Sequence, residues 1–269
     1  MYLKLNGVEM CCRGEERWGD LLGRLPDGGA GALGVFVQGR AHSLADRVEE
    51  YTFARVLTYA DEEGRRIYER SLQFLFLTAA HRLWPDTRVR IEHSFGQGLY
   101  IAVRGVEMNG EAIAALEREM RALAKADLPL KRRVVSTREA EDYFARIGQE
   151  DRLRILHFRS FDHYTLYEID GLEDYFYGEM VPSTGLLTVF GLIPYAGGVV
   201  LMGPDARNPK RVAAFRDLPK LMRTYDESAR WQEILDCQNA ADLNDMVLSH
   251  RLREFIRVSE ALQEQKIGR

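Results

Sequence analysis

The chain has 269 residues, more than a single hydrophobic core of about 250 residues normally serves, so two domains and a connector are expected. Its 37 basic and 41 acidic side chains give a net charge of −4, which argues against a dedicated nucleic-acid binder and leaves RNA only a local basic patch. At 46% hydrophobic and 29% charged, the composition excludes a disordered or fibrous chain.

Tyr2 to Leu5 and Val8 to Cys11 flank Asn6-Gly7, a dipeptide that tolerates the left-handed backbone of a tight hairpin, so two paired strands are predicted. Trp18, Leu21, Leu22 and Leu25 repeat at one-face helical spacing, and Pro26-Asp27-Gly28-Gly29 ends that helix. Val35 to Val37 reads as a strand, Gln38-Gly39-Arg40 as a turn, and Tyr51 to Tyr59 as the last strand of a small sheet crossed by one helix. Ile67 to Trp84 is a helix stopped by Pro85, apolar nearly all round and therefore central to a second domain. Arg88 to Ile91 and Gly98 to Val103 are strands about a turn through Ser94 to Gln97.

Asn109 caps a helix to Ala126, and Ser136-Thr137-Arg138-Glu139 forms a capping box before Ala140 to Ile147. Further strands are predicted at Ile155 to Phe158, Tyr164 to Ile169, Thr188 to Leu192 and Val199 to Met202. Met180 to Pro204 carries no charge, but its glycines and prolines interrupt a helix, so it reads as strands and turns rather than a membrane span. Leu248, Leu252, Phe255, Ile256 and Leu262 mark a helix stripe toward the end of the sequence, without a clear C-cap, as in a connector that leads into another domain. The opening residues lack the apolar core of a signal peptide, and a cytoplasmic location is expected.

The motifs that could carry chemistry are few. Gly29-Ala30-Gly31-Ala32-Leu33-Gly34 fits a dinucleotide fingerprint in letters, but it follows a turn and precedes a strand, so a loop is expected. No phosphate-cradling G-x-x-x-x-G-K-[ST] loop occurs. The six histidines form no His-x-x-x-His pair, and Cys11, Cys12 and Cys237 cannot make a four-cysteine zinc site, so no metal is expected. His157 and His163 read as separate hydrogen-bonded side chains, and Lys131-Arg132-Arg133 as three solvated charges.

Ser71 to Tyr100, Leu116-Glu117-Arg118-Glu119-Met120 and Val181-Pro182-Ser183-Thr184-Gly185 together resemble the editing-type second domain of threonyl-tRNA synthetases. Residues 1 to about 60 resemble a TGS domain, a β-grasp module, with Val37-Gln38-Gly39 at its turn. Leu218-Pro219-Lys220-Leu221, Leu243-Asn244-Asp245 and Val258-Ser259-Glu260-Ala261-Leu262 resemble the connector of bacterial uridine kinase-like (nucleoside kinase) proteins, where it leads into a P-loop kinase domain.

The resemblance implies an α+β fold: a TGS-like domain over 1–60, a two-layer editing-like domain over 61–225, and a helical connector over 226–269. The editing domain it resembles carries a His-x-x-x-His and a Cys-x-x-x-His pair; alignment puts Arg70 and Phe74, then Phe176 and Met180, at those four positions. Phe and Met neither move protons nor bind a hard metal, so no catalytic residue is expected. The remaining cleft would have Arg70, His93, Ser94, Gln97, Tyr100, Tyr177, Glu179, Ser183 and Thr184 on its rim, groups suited to a small polar ligand or nucleoside. The implied function is a noncatalytic binding or regulatory region acting on a P-loop kinase domain in cis or trans. ATP and Mg²⁺ would belong to a complete nucleoside kinase only, and a free-standing tRNA-editing hydrolase is the third reading.

Overall fold

The structure, a computed structural model, describes residues 2–49, 53–158 and 162–268. The fold is α+β, and the chain divides into two compact units, 1–133 with 165–216, and 134–164 with 217–269.

The first unit opens with β1 (Tyr2–Leu5) and β2 (Val8–Cys11), joined by Asn6-Gly7 in the left-handed conformation that the dipeptide favours. Helix α1 (Trp18–Leu22) is shorter than predicted; β3 (Gly34–Val37), β4 (Arg40–His42) and β5 (Phe53–Leu57) complete a five-stranded sheet in the order β2-β1-β5-β3-β4. Strand β4 takes in Arg40, predicted in a turn, and Tyr51 and Thr52, the first residues of the predicted last strand, lie outside the described residues. Trp18 and Leu21 are buried against Leu5, Val35 and Val37, so the helix lies on the sheet by its apolar stripe.

Helix α2 (Glu62–Leu83) starts five residues earlier than its apolar pattern does, because polar first-turn residues such as Glu62 and Glu63 suit the positive end of a helix dipole. Strands β6 (Arg88–Phe95) and β7 (Gly98–Arg104) form a hairpin around Gly96-Gln97; Ser94 and Phe95, predicted in the turn, continue the strand. Helix α3 (Gly110–Ala126) is capped by Asn109, whose side chain accepts from the Glu111 and Ala112 amides at 3.1 and 3.0 Å. Strand β8 (Lys131–Ser136) and β9 (His163–Ile169) join β10 (Leu172–Tyr175) in a three-stranded sheet, order β10-β9-β8.

Strand β11 (Gly191–Tyr195) begins three residues after the predicted Thr188, and with β12 (Gly198–Met202) it extends the hairpin into a sheet ordered β11-β12-β7-β6. Ile101, Val103, Val199 and Leu201 on this sheet share one core with Phe74, Leu75, Ala79, Leu116 and Met120 of the two helices. That burial on several sides is what the all-round apolar pattern of α2 requires.

The second unit holds α4 (Thr137–Arg146), with the Ser136/Glu139 capping box in place, α5 (Glu150–Leu156), α6 (Pro219–Ile234), α7 (Ala240–Leu248) and α8 (Leu252–Ile267). Ile155 and Leu156, predicted as strand, are the end of α5. The C-terminal stripe is two helices, since the turn at Ser249–Arg251, with His250 at φ +58, breaks it after Leu248. Arg154 of α5 bridges Asp242 (2.9 Å) and Asp245 of α7, and Asn239 caps α7 through the Ala241 and Asp242 amides. No helix among the described residues is long and apolar enough to cross a membrane.

Candidate functional site

The four positions aligned with the editing pairs come together in the fold. Phe74 of α2 is fully buried and its ring meets Phe176 at 5.1 Å, tilted by 51°. Met180 is buried in the same core. Arg70, one turn before Phe74, donates to the Glu179 carbonyl. The segment runs close over the guanidinium: Gly178 has φ +103, a conformation that favours glycine, and a Cβ there would sit 2.9 Å from Arg70 Cζ and push the guanidinium aside. Burial lowers the Arg70 pKa, against the attraction of Tyr167 and Glu179. The place therefore contains packed aromatic rings and an arginine bonded to backbone.

Around it, backbone groups are tied down by hydroxyls. Ser71 Oγ donates to Ile67 O at 2.7 Å and accepts from Val181 N at 2.9 Å. Ser43 Oγ of the five-stranded-sheet region donates to Met180 O at 3.3 Å. Thr184, predicted on the rim, is fully buried instead; its hydroxyl donates to Leu123 O at 2.7 Å and accepts from Leu128 N at 2.8 Å. Its donor is used in holding the chain and its burial keeps it from a ligand.

Glu179 sits in an ion network that the sequence reading missed. Arg132 donates to Glu179 Oε2 at 2.8 Å and to Asp46 at 2.5 Å, and Tyr167 OH reaches the Gly178 carbonyl at 3.0 Å and Glu179 Oε2 at 3.4 Å. Of the run Lys131-Arg132-Arg133, Lys131 and Arg133 are exposed and pair with Glu168 and Glu173, each at 3.0 Å, while strand alternation sends Arg132, read as a solvated charge, to the other face. Burial pushes the Glu179 carboxyl above its usual range, outweighing the attraction of Arg132. Burial also opposes the charge on Arg132, but Glu179 and Asp46 overcome it and raise its pKa.

A carboxyl whose folded pKa is raised contributes stability below the ordinary value of about 4.5, and that contribution is lost as pH rises through the folded pKa. Wild-type stability is therefore expected to fall relative to Glu179→Gln above about pH 4.5 and to level off once Glu179 is ionised. Denaturant midpoints across pH measure this difference; a gap that widens in favour of the wild type with rising pH would contradict it.

The other rim residues do not join this group. His93 pairs with Tyr100 across β6 and β7, their rings stacked at 5.3 Å, and Tyr100 OH donates to Ala196 O at 3.0 Å. Ile101, the next residue, faces the α2 core, so Tyr100 lies on the opposite side of the sheet from Arg70. A bulge between Ile91 and His93 turns His93 to that side as well. There, Phe95, Tyr195 and Phe215 cluster with centroids 4.8 to 6.2 Å apart. Ser94 and Gln97 are exposed near the hairpin tip, and Tyr177 is 85% exposed. Ser183 lines a separate cavity of about 460 Å³ with Arg17, Gly29, Leu44 and Pro182. The glycine-rich loop beside it leads into β3 rather than a helix, as expected for a loop.

Among the described residues no three His, Cys, Asp or Glu side chains cluster as metal ligands would. His157 Nδ1 lies 3.8 Å from Glu141; residues 159–161, between it and His163, lie outside the described residues.

Here a sheet is backed by α2 and α3, with Val181 bonded to Ser71 of α2 and Thr184 to Leu123 of α3, and comparison with known proteins supports a threonyl-tRNA synthetase-like region. Over 168 residues, 62% of the chain, it is 33% identical to a threonine–tRNA ligase of Paraburkholderia xenovorans and to one of Burkholderia cenocepacia. The same length is 28% identical to the threonine–tRNA ligase of Syntrophomonas wolfei. In each case it covers 26% of the relative, so the chain spans about a quarter of the length of these curated relatives. No family model matches the chain.

Proposed function

We propose that this chain is a noncatalytic binding and regulatory region in which a synthetase-type editing site has become a packed core. The observation that carries the reading is the Phe74–Phe176 contact, with Met180 beside it and Arg70 bonded to the Glu179 carbonyl. Hydrolysis of an aminoacyl ester needs a general base within hydrogen-bonding reach of a water. Phenylalanine and methionine supply none, and the Arg70 guanidinium remains protonated and cannot accept a proton. Incubation of the purified protein with threonine-specific tRNA carrying serine is expected to release serine at the uncatalysed rate. Release above that rate that depends on protein concentration would overturn the reading and restore the editing hydrolase.

The partner we propose is a P-loop nucleoside kinase domain, in cis or trans, in a cytoplasmic setting; ATP and Mg²⁺ would bind to that domain. What supports this is the connector-like sequence at Leu218–Leu221, Leu243–Asp245 and Val258–Leu262, which lies on or beside α6, α7 and α8. A small polar ligand would act through the exposed groups near Glu179 and Tyr177.

A further inference from the structure

We propose that the outward face of α8 is a self-association surface, on which α8 of a second copy of this chain lies antiparallel. The inward face is set by Leu252, Phe255, Ser259 and Leu262, each partly buried, and by Lys266, which lies over the Trp231 ring at 5.5 Å and pairs with Glu227 at 2.5 Å. Arg253, Arg257, Glu260 and Glu264 are exposed and follow one another at steps of four, three and four residues, so they form a stripe along the outward face. Ile256, 45% exposed, and Ile267, 77% exposed, border that stripe.

Within a single chain this stripe is placed badly. The two arginines are like charges one turn apart, as are the two glutamates, and such pairs destabilise a helix; within the stripe Arg257 and Glu260 alone stand as an opposite pair at helical spacing. The arginines lie toward the positive end of the helix dipole and the glutamates toward its negative end, which is unfavourable as well. A second copy sets an opposite charge against each of these four side chains. With a two-fold axis between Val258 and Ser259, an antiparallel α8 sets Arg253 opposite Glu264 and Arg257 opposite Glu260. Each contact occurs twice, four ion pairs over a helix length of about 16 Å. Ile256 and Ile267 lose exposed surface in the same contact. The pattern is self-complementary in register and direction, which an arbitrary solvated surface has no reason to be.

Sedimentation velocity over a concentration series tests the proposal on the full chain. The wild type is expected to form dimers that weaken as salt is raised. Arg253→Glu with Arg257→Glu, and separately Glu260→Arg with Glu264→Arg, should each weaken self-association by about tenfold or more, since four attractions become repulsions. An equimolar mixture of the two variants should form a heterodimer, with circular dichroism showing that both retain their helices. A wild type that stays monomeric throughout the series, a dimer indifferent to both variants, or variants that fail to associate when mixed would overturn it. These readings concern mass alone and are independent of the editing and kinase assays.

Discussion

Replacing Phe74 with alanine lowers the unfolding free energy by about 3 to 5 kcal/mol, the usual loss for a large aromatic side chain removed from a closed core. The ring is fully buried, touches Phe176 and lies in the core shared by α2, α3 and the four-stranded sheet, so its removal leaves a cavity that a 22-residue helix cannot easily close. Phe74→Leu retains most of the buried area and should cost clearly less. Phe74→His tests the functional reading on the same site. An imidazole set against the Phe176 ring would sit in this apolar core, and burying it there costs stability without giving a base that water can reach. Chemical denaturation with serine-release measurements on the three variants checks both parts. An alanine variant as stable as the wild type would show that the ring is not part of the core.

The second large effect is expected at Arg132. Arg132→Met keeps much of the aliphatic stem but leaves Glu179 and Asp46, both mostly buried, without their shared cation. The loss is about 1 to 3 kcal/mol at neutral pH, because the partly buried acceptors lose the donor that both share. Acidification should recover part of it relative to the wild type, because protonating Glu179 removes a charge that has lost its partner. An Arg132→Lys variant keeps the charge but not the fork that reaches both carboxylates, and should fall between the two. Thermal or denaturant unfolding at neutral and mildly acidic pH decides the point; an Arg132→Met loss that does not change with pH would mean that packing rather than charge is responsible.

The arrangement of elements was legible wherever a local signal has a local cause. Asn6-Gly7 adopts the left-handed turn that its residue types favour, Gly39 marks the turn it shares with Gln38, and Ser136 and Glu139 form their capping box. Asp170-Gly171 carried the same hairpin signal, overlooked between β9 and β10. The short apolar run Ile155 to Phe158 was ambiguous because a few apolar residues fit a strand and a helix end equally; the neighbouring turns of α5 decided it. Within the candidate site, the convergence of Arg70, Phe74, Phe176 and Met180 was legible through the spacing of the resembled motifs. The ion network was not, since Asp46, Arg132 and Glu179 are far apart in sequence and only folding brings their charges together. The burial of Thr184 was hidden for a related reason, since a hydroxyl that ties loop to helix is indistinguishable from a rim group until its partners are placed.

The second unit is assembled from two stretches separated by 52 residues, 134–164 and 217–269, and the bond that shows this best joins Arg154 to the carboxylates of Asp242 and Asp245. A fragment that stops at Arg216 keeps the guanidinium and loses both acids; one that starts at Asp217 keeps the acids and loses the cation. Anyone trimming this polypeptide for crystallisation or binding work would do better to excise neither stretch alone, because each is the missing half of the other's scaffold.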